Sequence, residues 1–497
     1  MAHENSILKM KNSNKNIFLY YIYFICIFLI HLAMLLLPAI NLEFTFADAA
    51  RYFQTGDTPL INQYFRLQAN TVGLPILASL VSTLIPNVDM LIVVRVLSII
   101  GIIFLYLGVT NFCTFLKRDD TMKLVILILL NPLVWVFSSR GTADFLPAAL
   151  GLFAISLMLQ ENKSIIKALL AGFILGLAAI LKYHAIFLLL FLIPCLWYSE
   201  NKSFQIKSFS IVSVISLSLL VIFLFFVHAL FGFWVTPPVF QSIHRLNIEE
   251  FVNNFFLYAG YLVLICAPFS FIFFDLLKIF NKYKYRLFLF LVLLFFTGYL
   301  CFQDGGELNF GPLDRYINKH ISAGLFFVLS VFILAPLFYQ SKKPFLSDIN
   351  KILTITLLLI IAVFSMTRPS QRYLLVVLPV FICLMPSRVI SNKYVYVTSL
   401  TVYSLLNIFI GYSQWCTGNA AQKMVDSIQS SGLIKLTDPG AIEGHVGNQF
   451  YMNNRESFQY IVVTGEDKSA KIMVQSGISF IDKKFSLIEI NKSINNN

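Results

Sequence analysis

Asp48, Arg51 and Tyr52 stand at i, i+3 and i+4 in the stretch ADAARYF, a spacing that puts all three on one face of a helix. A carboxylate with a cation one turn away can take a proton from an attacking hydroxyl, which is general-base chemistry. Glu43 lies just upstream and Asp57 just downstream. Thr45 and Asp48 equally fit a capping box at a helix start. The segment alone leaves the catalytic and capping readings open.

Further ionisable groups sit between apolar runs. SSRGTADF carries Arg140 and Asp144, and AAILKYHAIF carries Lys182 and His184. FGPLDRYINKH offers Asp314, Arg315, Tyr316, Lys319 and His320, and MTRPSQRYLLVVLP offers Arg368, Arg372 and Tyr373. Charges at the ends of membrane spans are costly unless paired or wetted, so each is a site candidate. Any one of them could instead snorkel to lipid headgroups. Lys182 is hardest to explain that way, because the segments around it are almost wholly apolar. His31 and His228 fall inside apolar runs and read as satisfied bundle residues. His244 and Arg245 read as the polar face of an interfacial helix. As a set, these cations and carboxylates suit a substrate with a lipid tail and a phosphate head. Cations would hold the phosphate and a carboxylate would move the proton.

The elements that must position these residues are membrane spans. The 497-residue chain is 58% hydrophobic and only 12% charged, about half the ordinary charged fraction of roughly 25%. Apolar runs long enough to cross a bilayer recur from Ile17 to about Tyr412. The formal net charge is +12. It sits largely in short loops, so it reads as topology signal and not as a nucleic-acid surface. Seven scattered cysteines form no CxxC pair and read as small hydrophobes, without a disulfide frame or metal site.

Lysines 9, 11 and 15 place the N-terminus on the cytoplasmic side. Residues 41–88 then form the first outer loop. Within it, 70–86 (NTVGLPILASLVSTLIP) reads as an interfacial helix. Counted as a span, it would put Lys117, Arg118 and Lys123 outside. The expectation is an α-helical polytopic membrane protein with about 13 transmembrane helices. Its two parts are a transmembrane region over 1–413 and a periplasmic C-terminal α/β domain over 414–497, with one helix over 419–430 and strand-like runs in FQYIVVTG and KFSLIEI.

These segments resemble the GT-C superfamily of polyprenyl-phosphate-dependent glycosyltransferases. The likeness is to bacterial lipid A aminoarabinose transferases, protein O-mannosyltransferases and serotype-converting O-antigen glucosyltransferases. The family's Asp-Glu-x-Arg-Tyr motif is matched by Asp48-Ala49-Ala50-Arg51-Tyr52, and its Thr-Gly-Asp turn by Thr55-Gly56-Asp57. Its Pro-containing interfacial helix is matched by TVGLPILASLV, and a following arginine by Arg95. Its Gly-rich span ending in lysine is matched by LLAGFILGLAAILKYH, and a later Tyr-Leu-Leu-Pro-type start by QRYLLVVLPVF. The ordered set covers roughly the first 390 residues. One departure is Ala49, where the family has Glu.

The resemblance implies a GT-C-like fold in a bacterial inner (plasma) membrane, with the C-terminus periplasmic. It implies an inverting hexosyltransferase that moves a sugar from undecaprenyl phosphate to a glycan or glycolipid acceptor such as O-antigen. Asp48 is the expected base, with Asp144 or Glu43 as substitutes. Lys182, Arg315 and Arg372 are the expected phosphate cations, and Arg51, Tyr52, Arg140 and Tyr373 complete the substrate contacts. No residue pattern marks a metal, although the chemistry is compatible with a divalent cation. The rival readings are an O-antigen polymerase and a lipid-linked sugar flippase or other transporter.

Overall fold

The computed structural model describes residues 22, 24–37, 41–67, 71–138, 140–160, 164–197, 202–240, 250–266, 344–366, 370–433, 437–438, 459–467, 469–477 and 483–489. Arg315, together with Asp314, Tyr316, Lys319, His320, Arg368, His244 and Arg245, lies outside them.

The first outer loop is helical. After α1 (Phe24–Ala33) come α2 (Asn41–Thr55), α3 (Thr58–Leu67) and α4 (Gly73–Leu84). The 12-residue α4, within the stretch expected to lie at the interface, is too short to cross a bilayer. Helix α2 begins at Asn41, so Thr45 and Asp48 are interior to it. This overturns the capping-box reading. Anchoring of Glu43 and burial of Phe46 and Ala47 extend the helix one turn further back than local propensity asks.

An apolar set of helices follows. Its members are α5 (Met90–Phe115), α6 (Thr121–Leu130), α7 (Pro132–Ser138), α8 (Phe145–Met158), α9 (Ile165–Leu181), α10 (Leu189–Trp197), α11 (Lys202–Phe231) and α12 (Phe251–Ile265). Then follow α13 (Pro344–Ser365), α14 (Leu378–Leu384), α15 (Ser387–Ser391) and α16 (Lys393–Ser430). Among the described residues, four helices have the length and apolarity to cross a membrane: Met90–Phe115, Gln205–Phe231, Asp348–Ser365 and Lys393–Ser430. The pair α6 and α7 makes a fifth if its 67° bend lies within one span. Some of the expected 13 spans fall in 267–343, outside the described residues.

The bend has a local cause. Pro132 cannot donate a backbone hydrogen bond, which breaks the helical ladder there. The groups around the break find partners on other helices. Asn407 donates to the Leu130 carbonyl at 2.9 Å, and Asn131 donates to Tyr403 at 3.3 Å and to the Ile265 carbonyl at 3.2 Å. His31 hydrogen-bonds the Leu129 carbonyl at 3.1 Å, which agrees with its reading as a satisfied bundle residue.

Helix α16 is a single helix of 38 residues. The helix expected over 419–430 is its last third, so the boundary expected at 413/414 falls inside a continuous helix. Ala420, Ala421, Met424, Val425 and Ile428 bury one face of this extension against Val462, Phe485 and Leu487 of a small sheet. That sheet has the order β1-β2-β4-β3, with β1 (Thr437–Asp438), β2 (Tyr460–Thr464), β3 (Ile472–Ser476) and β4 (Lys483–Glu489). Strands β1 and β2 are parallel, and the other pairs are antiparallel.

Candidate functional site

Three charge clusters are built from α2, the start of α5, the α7–α8 loop, the end of α9 and the turn Gln371–Val376 that leads into α14. The first is built on Asp144, just before α8. Its Oδ1 lies 3.2 Å from Lys182 Nζ, and its Oδ2 lies 3.4 Å from an Arg372 guanidinium nitrogen. Lys182 ends α9 in extended conformation, which turns its side chain out of the helical path. Its ammonium lies 5.3 Å from the centre of the Tyr373 ring, and His184 stacks on that ring at 4.0 Å. Burial pushes the Asp144 carboxyl up, but Lys182 and Arg372 outweigh it and hold the group below its usual range. The cluster sets one carboxylate against two basic side chains. Arg372 remains 26% exposed, so its positive charge can be reached from outside.

The last turn of α9 is fixed from the first loop. Thr71 Oγ1 donates to the Ile180 carbonyl at 2.6 Å, with the Leu181 carbonyl at 3.0 Å, so two helix-end acceptors gain a donor. Gly73 is required at this contact, since a Cβ there would meet the Ile180 oxygen at 2.3 Å. Tyr64 donates to the Thr71 carbonyl at 2.6 Å, and its ring meets Phe46 of α2 edge-on at 5.5 Å. The start of α4 therefore ties the Lys182 turn to the helix that carries Asp48.

The second cluster is built on that acid. Asp48 lies 2.6 Å from Arg51, as the i, i+3 spacing implies, and Arg51 reaches Asp89 at 3.0 Å. Asp89 also caps α5, accepting from the Leu91 amide at 3.1 Å. Two carboxylates share one guanidinium. The side chain of Asp48 is 7% exposed and that of Arg51 43%. Burial raises the Asp48 carboxyl above its usual value; Arg51 offsets part of that rise and Asp89 adds to it. Tyr52 packs on Phe53 at 5.1 Å and near Phe231 of α11 at 6.4 Å.

The third cluster is closed. Glu43 is 0% exposed and accepts from Arg95 at 2.7 and 3.0 Å, from Arg140 at 3.1 Å and from the Gly141 amide at 3.1 Å. Arg95 also donates to the Leu35 carbonyl at 2.7 Å, and Arg140 donates to Gln414 of α16. Glu43 and Arg140, offered by the sequence as base and substrate contact, are here bonded to each other. Both oxygens of Glu43 are occupied by donors, which leaves it no lone pair turned outward for proton transfer.

The clusters thus include Asp48, Arg51, Asp144, Lys182, Arg372 and Tyr373, with Tyr52 beside the second and Glu43 and Arg140 behind them. Asp89, Thr71 and Gln414 were not singled out from sequence. Asp89 had a findable signal, an Asp directly before an apolar helix. Gln414 had only its polarity within a largely apolar stretch. Among the described residues, no three His, Cys, Asp or Glu side chains group to hold a metal ion. The Arg51 guanidinium bridges Asp48 and Asp89, which makes that acid pair an ion-pair bridge and not a metal cradle.

No protein-family model matches the chain, and no curated protein matches it. The solved structures similar to it include the following two. One is ArnT from Cupriavidus metallidurans in the apo state, at 13% identity and a TM-score of 0.41, over 86% of this chain and 81% of that one. The other is ArnT from the same organism bound to undecaprenyl phosphate, at 12% identity and a TM-score of 0.47, over 95% and 98%.

Proposed function

We propose that this chain is an integral membrane glycosyltransferase of the bacterial inner membrane. It takes a sugar from an undecaprenyl-phosphate donor and passes it to a hydroxyl of a glycan or glycolipid on the periplasmic face, with O-antigen or another cell-surface glycan as the acceptor class. The observation that carries this reading is Asp144 held between Lys182 and Arg372. A buried cluster with one carboxylate and two cations has a net positive charge that an incoming phosphate can neutralise. The donor class comes from the sequence resemblance set out above.

In the reaction, Asp48 takes the acceptor hydroxyl proton as that oxygen attacks the sugar C1. The bond from C1 to the phosphate oxygen breaks, and the electron pair leaves with the phosphate. That group is already a stable anion, so cations suffice and no acid is needed. Lys182 and Arg372 stabilise it, as does Arg315 on the sequence reading. In-line attack inverts the anomeric centre. Arg51 orients Asp48, Tyr52 offers an aromatic face to the substrate, Tyr373 backs the Lys182 ammonium that meets the donor, and Asp144 holds the cations. Glu43, Arg95 and Arg140 hold the frame.

The bend at Asn131 is the feature that a transporter reading would use. The Leu130 carbonyl and the Asn131 amide at the bend are bonded to protein, which favours transfer over transport. The test is release of undecaprenyl phosphate from its hexose-linked form by protein in liposomes supplied with lipopolysaccharide. Wild-type protein should turn over donor, and both Asp48→Asn and Lys182→Ala should be nearly silent. Equal turnover by wild type and Asp48→Asn rejects the reading.

A further inference from the structure

Helix α16 presents a stripe to the bent pair and the loop that follows it. Tyr403 meets Asn131, Asn407 meets the Leu130 carbonyl, Gly411 lies under Trp135, and Gln414 accepts from Arg140. The steps of four, four and three residues are those of one helix face. The partners are 131, 130, 135 and 140, two at the bend and two beyond it. A Cβ at Gly411 would meet the Trp135 ring at 2.9 Å, so the approach is close. Five residues beyond Gln414, Asn419 donates to Ser476 of β3 at 3.0 Å. One short stretch of α16 thus touches both the C-terminal sheet and the α7–α8 loop.

We infer that Gln414 is a positioning residue for the acid on α2, which places the C-terminal domain in control of the transfer step. The chain of contacts is short. Gln414 accepts from Arg140, Arg140 donates to Glu43, and Glu43 lies five residues before Asp48 on the same helix. The Glu43 cluster has one negative and two positive charges in a buried setting, and the Gln414 amide oxygen is the α16 acceptor that faces it. Without that acceptor Arg140 turns away, Glu43 keeps only Arg95 and the Gly141 amide, and the first turns of α2 shift. Asp48 then meets the acceptor oxygen off line. The donor cations sit on a separate cluster, held by Asp144. This inference rests on the transferase reading, but the contact chain itself can be measured without it.

The experiment compares full-length Gln414→Ala, Gln414→Glu, Arg140→Ala and the Gln414→Ala/Arg140→Ala double variant. In the undecaprenyl-phosphate hexose assay, Gln414→Ala should lower kcat about tenfold or more, the size expected when a group is misplaced by a fraction of an ångström, with donor KM unchanged. Gln414→Glu, which still offers Arg140 an oxygen, should recover most of that loss. In thermal unfolding the two alanine substitutions should be strongly non-additive, because each removes the Gln414–Arg140 contact. Additive Tm shifts overturn the inference whatever the activity. So does a Gln414→Ala effect confined to KM, or one that Gln414→Glu fails to rescue. If the Tm cycle couples while wild type turns over no donor, the transferase reading has failed and the contact chain stands alone.

Discussion

The carboxylate of Asp144 lies between two cations that come from distant parts of the chain, 3.2 Å from Lys182 and 3.4 Å from Arg372. Removing one cation is not equivalent to removing the acid. Lys182→Ala leaves Arg372 on the carboxylate, so the protein should fold and insert while losing donor turnover by at least about a hundredfold, the scale of lost electrostatic stabilisation. Lys182→Arg should keep part of the activity, because charge is retained with altered geometry. Asp144→Asn leaves two cations facing each other and should destabilise the fold by about 3–5 kcal/mol, read as a lower Tm in detergent.

Asp48→Asn separates the base role from any role in helix formation. Asp48 is interior to α2, so no helix cap is lost. The variant should be expressed, inserted and able to bind donor, yet its kcat should fall about 10²- to 10⁴-fold. Retention of more than about a tenth of wild-type activity would remove Asp48 from the base position.

The acid limb of the activity profile should report the same carboxyl. The base works only when ionised, and burial raises its pKa above the ordinary aspartate value. Activity should therefore be lost as pH falls through a point higher than that ordinary value. Arg51→Ala removes a charge that lowers this pKa, so the limb should move to higher pH. Asp89→Asn removes one that raises it, so the limb should move to lower pH while the cap on α5 is kept. Shifts of the same sign in both variants would show that another group sets the limb.

Glu43→Gln should be a stability variant first. It strips the charge from an acid that is 0% exposed between Arg95 and Arg140. A loss of about 3–5 kcal/mol is expected, read by Tm or by poor accumulation in the membrane. A Glu43→Gln protein with wild-type Tm and abolished transfer would return Glu43 to the list of bases.

Much of the helical architecture could be read from hydropathy, because a bilayer demands long apolar helices and leaves few alternatives. The Asp48–Arg51 pair followed from helical spacing alone. The partners of Asp144 did not, because Lys182 and Arg372 lie 38 and 228 residues away, and only packing decides which span ends meet. Glu43 read as a substitute base for the same reason: its two arginines lie 52 and 97 residues along the chain. The continuity of α16 through 413/414 was not legible because its composition changes near Gln414 without interrupting its hydrogen-bond ladder.

Single-cysteine labelling checks which ends share a face. Positions in 41–69 should be labelled from the periplasmic side, and 117–123 should not. Labelling of 117–123 from outside would make 70–86 a span and move the charge clusters to the wrong face.

The bend at Asn131 also sets a schedule for biosynthesis. The Leu130 carbonyl takes its hydrogen bond from Asn407, which is 277 residues further along the chain. Translation at about 5–20 residues per second delivers that partner roughly 15–55 seconds after the carbonyl itself has been made. Through that interval the polar group cannot face lipid without a cost of several kcal/mol, so it must be sheltered by the insertion machinery, by water or by an intact but temporary helical turn. His31, made earlier, can serve Leu129 at once. A ribosome stalled before Tyr403 would therefore leave a bent segment half satisfied, the kind of intermediate that membrane proteases recognise. The last helix among the described residues completes one of the first.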